Sequence, residues 1–300
     1  MRLAFSKAVV AAAQVDPKIL LLTGDHGYAL FDEFRSLLPA QFVNAGIAEQ
    51  NMVGVAAGLA KAGYKPIVYG LSAFVPVRVI EQIKMDVCYE KLPVIFIGDG
   101  AGVVYSSLGS SHQSTEDIAM LRPLPNLQIL SPCDSLEMDY AMKHGLQFDA
   151  PFYIRMGKSD VGAIHLSVIE AKLGDLLPIR SGANKKIVFI ATGSMVSVAN
   201  RLANELLDCD VWSVPSLKPI NEEQVLKIAE LADDIVVLEE HSTAGGLGSL
   251  IAEIVSSVAC ARVTRFGVQD KFSEKCGSYQ YLMKEHGLDF DTLKEKLSSI

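Results

Sequence analysis

Short, nearly continuous apolar runs alternate with longer amphipathic stretches along most of the chain. In the first half, runs at 19–23, 41–43, 66–70, 93–98, 126–130 and 151–154 read as strands. Stretches at 3–14, 28–37, 48–62, 77–89 and 135–144 read as helices. A strand buried on both faces has no polar alternation, and helices between successive strands supply the crossovers of a parallel sheet. Residues 161–184 are less regular and read as a linker. Beyond it, strands at 186–191, 211–214, 235–239 and 263–266 alternate with helices at 195–207, 222–232, 248–256, 279–285 and 289–297. The pattern predicts an α/β chain of two consecutive domains, 1–160 and 185–300, each a mostly parallel sheet flanked by helices.

Open parallel sheets bind ligands beyond the carboxyl ends of their strands. That rule directs attention to the loops after Thr23, Asn44, Gly70, Gly98 and Ile154. After Asn44 a helix opens with a lone carboxylate, Glu49, in a run otherwise built from Ala, Gly, Leu and Met. The helix dipole alone is a sufficient reason for an acid in a first turn. Gly54 and Gly58 lie four apart on one face of this helix, at a cost in helix propensity, and predict close packing there. The loop after Gly98 is long, rich in Gly and Ser, and carries His112 in polar company. The glycines at 245, 246 and 248 stand where a phosphate loop would, but the full Gly-x-Gly-x-x-Gly pattern is absent, and a tight turn accounts for them.

Composition narrows the function classes. Half of the 300 residues are apolar, enough for a sizeable core, and the formal charge is −8 with no basic cluster. Nucleic acid is therefore not an expected partner. No stretch is long and apolar enough to span a bilayer, so no membrane association is expected. The five cysteines are scattered, form no CxxC pair and have no metal spacing. They fit free thiols in a reducing cytoplasm, and no metal-ligating residue is expected in this chain.

Several stretches together are similar to one family. Gly46-Ile47-Ala48-Glu49-Gln50 resembles the segment bearing the catalytic glutamate of transketolases and deoxyxylulose-phosphate synthases. Gly63-Tyr64-Lys65-Pro66, Leu71-Ser72-Ala73-Phe74, Ser111-His112-Gln113 and Leu124-Pro125-Asn126 follow in the family's order. Leu238-Glu239-Glu240-His241, the glycines at 245 and 246, and Gly267-Val268-Gln269-Asp270-Lys271-Phe272 resemble the transketolase C-terminal domain.

The resemblance implies the C-terminal subunit of a split, thiamine diphosphate-dependent transketolase: a pyrimidine-binding domain followed by a C-terminal domain. The diphosphate and its Mg2+ would be held by a separate N-terminal subunit, and the chain would also self-associate, giving a heterotetramer. By the same resemblance, Glu49 would hydrogen-bond a ring nitrogen of the aminopyrimidine, Phe74 would stack on that ring, and Asp25 would lie near the cofactor. His112 would face the substrate oxygens, and Arg155 and Arg2 would bind the phosphate of a sugar-phosphate substrate. Gly98-Asp99-Gly100 with Asn126 mimics the family's diphosphate signature, but a Gly/Ser loop follows it rather than an acidic helix, so it is not expected to hold the metal.

Two positions depart from the family. Counting back from His112, Gly100 falls where transketolases have another substrate histidine, and Leu108 where they have an Asp that contacts a ketose hydroxyl. His26 is a candidate replacement. A decarboxylating thiamine enzyme, such as a synthase of the deoxyxylulose-phosphate type or a 2-oxo-acid dehydrogenase β-subunit, and a non-catalytic assembly subunit are the alternatives.

Overall fold

The computed structural model describes residues 1–158, 162–258 and 260–298. The apolar runs of the first half become β1 (Ile19–Thr23), β2 (Phe42–Asn44), β3 (Lys65–Leu71), β4 (Ile95–Asp99), β5 (Gln128–Leu130) and β6 (Phe152–Met156). The second half contributes β7 (Leu177–Arg180), β8 (Asn184–Ala191), β9 (Cys209–Ser213), β10 (Ser216–Lys218), β11 (Asp234–Ser242) and β12 (Arg262–Val268). The first sheet has the order β10-β5-β6-β4-β3-β1-β2 and is parallel except for β10; the second is β12-β11-β8-β9-β7 and is parallel except for β7. Every residue of β1, β4 and β6 is buried, which is why these segments are mostly apolar in sequence, with polar residues, Thr23, Asp99 and Arg155, only at or near their carboxyl ends.

Three details differ from the sequence expectation. Leu177–Arg180, within the expected linker, is a strand of the second sheet, antiparallel to β9. Strand β10 crosses back from the second half to pair with β5; three residues ending before Pro219 give too little alternation to be seen in advance. The helix expected at 77–89 is broken into a 3-10 turn, Val77–Val79, a short α segment, Ile80–Gln82, and a π segment, Ile83–Cys88.

The two halves share one interior. An apolar cluster runs from Leu22, Met52, Val68 and Phe96 of the first sheet's layer to Ile190, Val214, Val237 and Ile251 of the second. The opposite face of the first sheet is covered by the helices Arg2–Val15 and Ser135–Gln147, and that of the second by Met195–Leu202 and Phe290–Leu297. Each fully buried Leu, Ile or Phe contributes roughly 1.5–3 kcal/mol of transfer free energy. This shared core therefore contributes to holding the two domains together.

Candidate active site

Strands β1, β2, β3 and β4 all end on one side of the first sheet, and the loops leaving them converge there. The loop after β2 turns at Gly46, whose φ of +69° is open to glycine at no steric cost, and enters the helix Glu49–Lys61. Glu49 occupies the first turn but is turned inward and only 3% exposed. Its Oε2 accepts a hydrogen bond from Arg78 at 3.1 Å. Its Oε1 lies 3.9 Å from His26 Nε2, and both atoms are buried without a hydrogen-bond partner. A buried polar atom without a partner is costly, so this pair calls for one.

Phe74, in the turn that follows β3, closes the group. Its ring centroid is 5.4 Å from that of His112, edge-on, and 6.1 Å from that of His26. The Arg78 guanidinium lies 4.0 Å over the Phe74 ring, a cation–π contact. Four loops thus bring together His26, Glu49, Phe74, Arg78 and His112. Of these, Glu49, Phe74 and His112 are the residues expected from sequence, and His26 enters there only as a replacement. Arg78 is absent from the expectation. Its signal is the four-residue spacing from Phe74, obscured by Pro76 between them.

The other expected residues lie elsewhere. Asp25 is exposed and faces outward, with its Oδ1 accepting from Tyr28 and Asn44 at 2.6 and 3.2 Å. Arg2 pairs with Asp99 at the end of β4 and reaches the Tyr105 hydroxyl at 3.2 Å. Asp99 also accepts from Tyr69 and Tyr105 at 2.9 and 2.8 Å, and an added Cβ at Gly100 would lie 2.0 Å from the Tyr105 ring. Asn126 precedes β5 at the amino end of the sheet, whereas Asp99 closes β4 at the carboxyl end, so the two cannot share one ion.

Arg155 lies apart from this group. The sequence places it against a ligand, but it is 3% exposed and sealed between the domains. Its Nε donates to both Asp117 oxygens, at 3.1 and 2.8 Å, and its other nitrogen donates to the carbonyls of Ser114 and Glu240. A central strand is covered on both faces, and here the cover at its carboxyl end is the second domain itself.

Around Arg155 the seam is polar and buried. Glu240 accepts from Val103 N–H at 2.8 Å, Tyr279 Oη at 2.6 Å and Ser194 Oγ. Glu239 caps the helix Leu247–Val255, accepting from Leu247 and Gly248 N–H at 2.7 and 2.8 Å. The glycine run at 245–248 is therefore a tight turn around a carboxylate. Burial raises Glu239 to about 7, although these two backbone donors and the charges of Arg155 and Arg265 oppose the shift. Burial likewise lowers His241 to about 4. His241 Nε2 faces Ala119 N–H at 3.3 Å and its Nδ1 lies 2.8 Å from Ser242 O, which fits the neutral ring with its proton on Nδ1.

Known proteins match over both halves. Residues 1–163 match the family described as transketolase, pyrimidine binding domain, and residues 178–293 match transketolase, C-terminal domain. The chain belongs to the transketolase family. Among transketolase relatives, it is 33% identical over 294 residues to an apulose-4-phosphate transketolase subunit of Phocaeicola vulgatus, covering 96% of this chain and 93% of that one. It is 34% identical to "6-deoxy-6-sulfo-D-fructose transketolase subunit SqwH" of Clostridium sp., covering 92% and 86%. A solved structure described as "Split gene transketolase, inactive beta4 tetramer" superposes with a TM-score of 0.88 at 34% identity, covering 99% of this chain and 96% of that one.

Proposed function

We propose that the chain is the C-terminal subunit of a split transketolase that moves a two-carbon ketol unit between anionic sugars. The observation that carries this is the unpartnered pair Glu49 Oε1 and His26 Nε2 beside the Phe74 ring. An aminopyrimidine offers a ring nitrogen, an amine and an aromatic face, so these residues fit thiamine diphosphate. When bound, that cofactor supplies the electron sink for carbon–carbon cleavage. Glu49 would present Oε1 to the ring nitrogen and share a proton with it, while Arg78 fixes Oε2 and so orients the carboxyl group. Phe74 presents the stacking surface, and His112 donates to an oxygen that gains negative charge. Arg2, half-exposed at the end of β4, is favoured over the sealed Arg155 for a substrate phosphate.

The diphosphate and Mg2+ belong to an N-terminal partner subunit, and the chain self-associates as the dimeric core of a heterotetramer in the cytoplasm. Support comes from relatives named as transketolase subunits and from the solved tetramer described as inactive. Relatives named for apulose 4-phosphate and a 6-sulfo sugar favour an anionic sugar here as well. A second reading, a 2-oxo-acid donor that is decarboxylated, is favoured by Leu108, which is 51% exposed and offers no hydrogen bond to a donor hydroxyl.

Reconstitution tests both. The purified chain is mixed with an N-terminal transketolase subunit, thiamine diphosphate and Mg2+, and is offered a ketose phosphate or pyruvate in separate assays. Ketol transfer that requires both subunits is expected. Full transfer by the isolated chain would overturn the split-enzyme reading, and carbon dioxide release from pyruvate without ketol transfer would establish the second.

A further inference from the structure

Away from the Glu49 group, folding assembles three metal-ligand types that the sequence keeps apart. Cys133 follows β5, Glu137 lies in the first turn of the helix Ser135–Gln147, and His165 sits on the connection between the domains. One ligand atom from each, a thiol sulfur, a carboxylate oxygen and an imidazole nitrogen, lies within 4.8 Å of the others. Cys133 and Glu137 are buried and His165 is 12% exposed, so the group is closed on the inside and reached from the connection.

The local contacts converge on one carboxylate. Glu137 Oε2 accepts from Cys133 N–H at 2.7 Å, and Oε1 accepts from Ser213 Oγ at 2.6 Å and His165 Nε2 at 2.8 Å. Asp134, the N-cap of the same helix, accepts from the backbone N–H groups of Ile164 and His165 at 2.9 and 2.8 Å. The imidazole is therefore brought in by fixed backbone, as preorganised ligands are.

We propose that Cys133, Glu137 and His165 form a zinc-binding site that fastens the interdomain connection to the helix Ser135–Gln147. One thiolate, one imidazole and one carboxylate suit Zn2+ in tetrahedral coordination, with water as the fourth ligand. Side-chain rotation must draw the ligand atoms to about 3.5 Å apart, the edge of a tetrahedron with bonds near about 2.1 Å. Mg2+ and Ca2+ prefer all-oxygen sites and are excluded by the thiol.

Binding exchanges protons for metal. The Cys133 S–H bond breaks as the Zn–S bond forms, and that proton goes to solvent. The His165 Nε2 proton goes to solvent from the imidazolium, or moves to Nδ1 in the neutral ring. No electrons move. Glu137 keeps its bonds from Cys133 N–H and Ser213 Oγ. Burial, with Glu137 and Asp134 nearby, pushes the Cys133 thiol up, so it stays protonated until a metal displaces the proton and binding tightens as pH rises.

The rival is a self-sufficient hydrogen-bond network that takes no metal. Co2+, a spectroscopic stand-in for Zn2+, separates the two. The full chain is stripped with chelator and titrated with Co2+. The expected result is a thiolate-to-cobalt charge-transfer band that saturates at one equivalent and is abolished by added Zn2+. Zn2+ should also raise the Tm while Mg2+ does not. Cys133→Ser should remove the band, and His165→Ala should weaken Co2+ binding at least tenfold. If Cys133→Ser fails to fold, the wild-type spectrum still decides. Absence of the band, or a full band in folded Cys133→Ser that points to the exposed Cys260 or Cys276, would overturn the proposal.

Discussion

Glu49 uses its two oxygens differently: Arg78 holds Oε2, and Oε1 is buried without a partner. In the reconstituted enzyme, Glu49→Gln should lower kcat by about 10²–10⁴, the usual loss for a general acid–base group. Its Tm should barely move, because the hydrogen bond at risk is to the half-exposed Arg78. Normal turnover in that variant would remove Glu49 from the proton path. A second residue-scale expectation concerns Glu239 and His241, 3.6 Å apart in the seam. Glu239 is raised from 4.5 to about 7, so the fold holds its proton over a range where the unfolded chain has released it. Its contribution to stability therefore grows as pH falls from about 7 to about 4.5, by at most about 1.4 kcal/mol per pH unit. His241, lowered from 6.5 to about 4, acts in the opposite sense, because the unfolded chain takes up the proton first. The two slopes offset each other in the wild type. Glu239→Gln should expose the His241 slope and lose stability relative to wild type on acidification. Urea melts at about pH 7.5 and about pH 5 would read this difference, and a constant gap would refute it. Glu49, Phe74 and His112 are candidates from the sequence because each sits in a short stretch that resembles a family motif, on a loop leaving a strand. The roles of His26 and Arg78 are not legible there, because they come from where β1 and the broken segment after β3 bring them.

At the scale of elements, the strand pattern is readable wherever a strand is buried on both faces, as β1, β4 and β6 are. It fails at β7 and β10, whose identity depends on antiparallel pairing with distant segments. The enclosure of Arg155 is hidden from the sequence for a related reason: the rule that strand ends face ligands does not know that a second domain caps this one. The seam it occupies yields its own prediction. Asp117→Asn removes the charge that compensates a fully enclosed guanidinium, a change that typically costs about 3–5 kcal/mol. Gly102 is the other sensitive point. Its φ is +76°, and an added Cβ would lie 2.3 Å from Glu240 Oε1, the oxygen that receives Val103 N–H. Gly102→Ala should therefore cost about 1–3 kcal/mol and loosen the loop that leads to His112. Denaturant midpoints of both variants would check this, and a neutral Asp117→Asn would mean that the seam is not holding the domains together.

At the scale of the molecule, the helix that carries Glu49 presents an unfinished face. The sequence predicts close packing at Gly54 and Gly58, yet a Cβ added at either would meet nothing within 4 Å, and both are exposed. A glycine in an exposed helix interior costs about 1 kcal/mol relative to alanine. Within one chain, then, Gly54→Ala and Gly58→Ala should each stabilise the fold by roughly that amount. If this face instead meets a second copy of the chain, the added methyl groups keep the two backbones apart, and association should weaken as the monomer becomes more stable. The two effects have opposite signs and are read by different measurements. A denaturation midpoint, taken at a concentration where the chain is monomeric, reports the first. Sedimentation or light scattering across a dilution series reports the second. The double variant is expected to melt higher and to dissociate at a higher concentration than wild type, with Glu49 still in place in each monomer. Unchanged self-association would remove this helix from the interface and leave the two glycines without a purpose in the assembly.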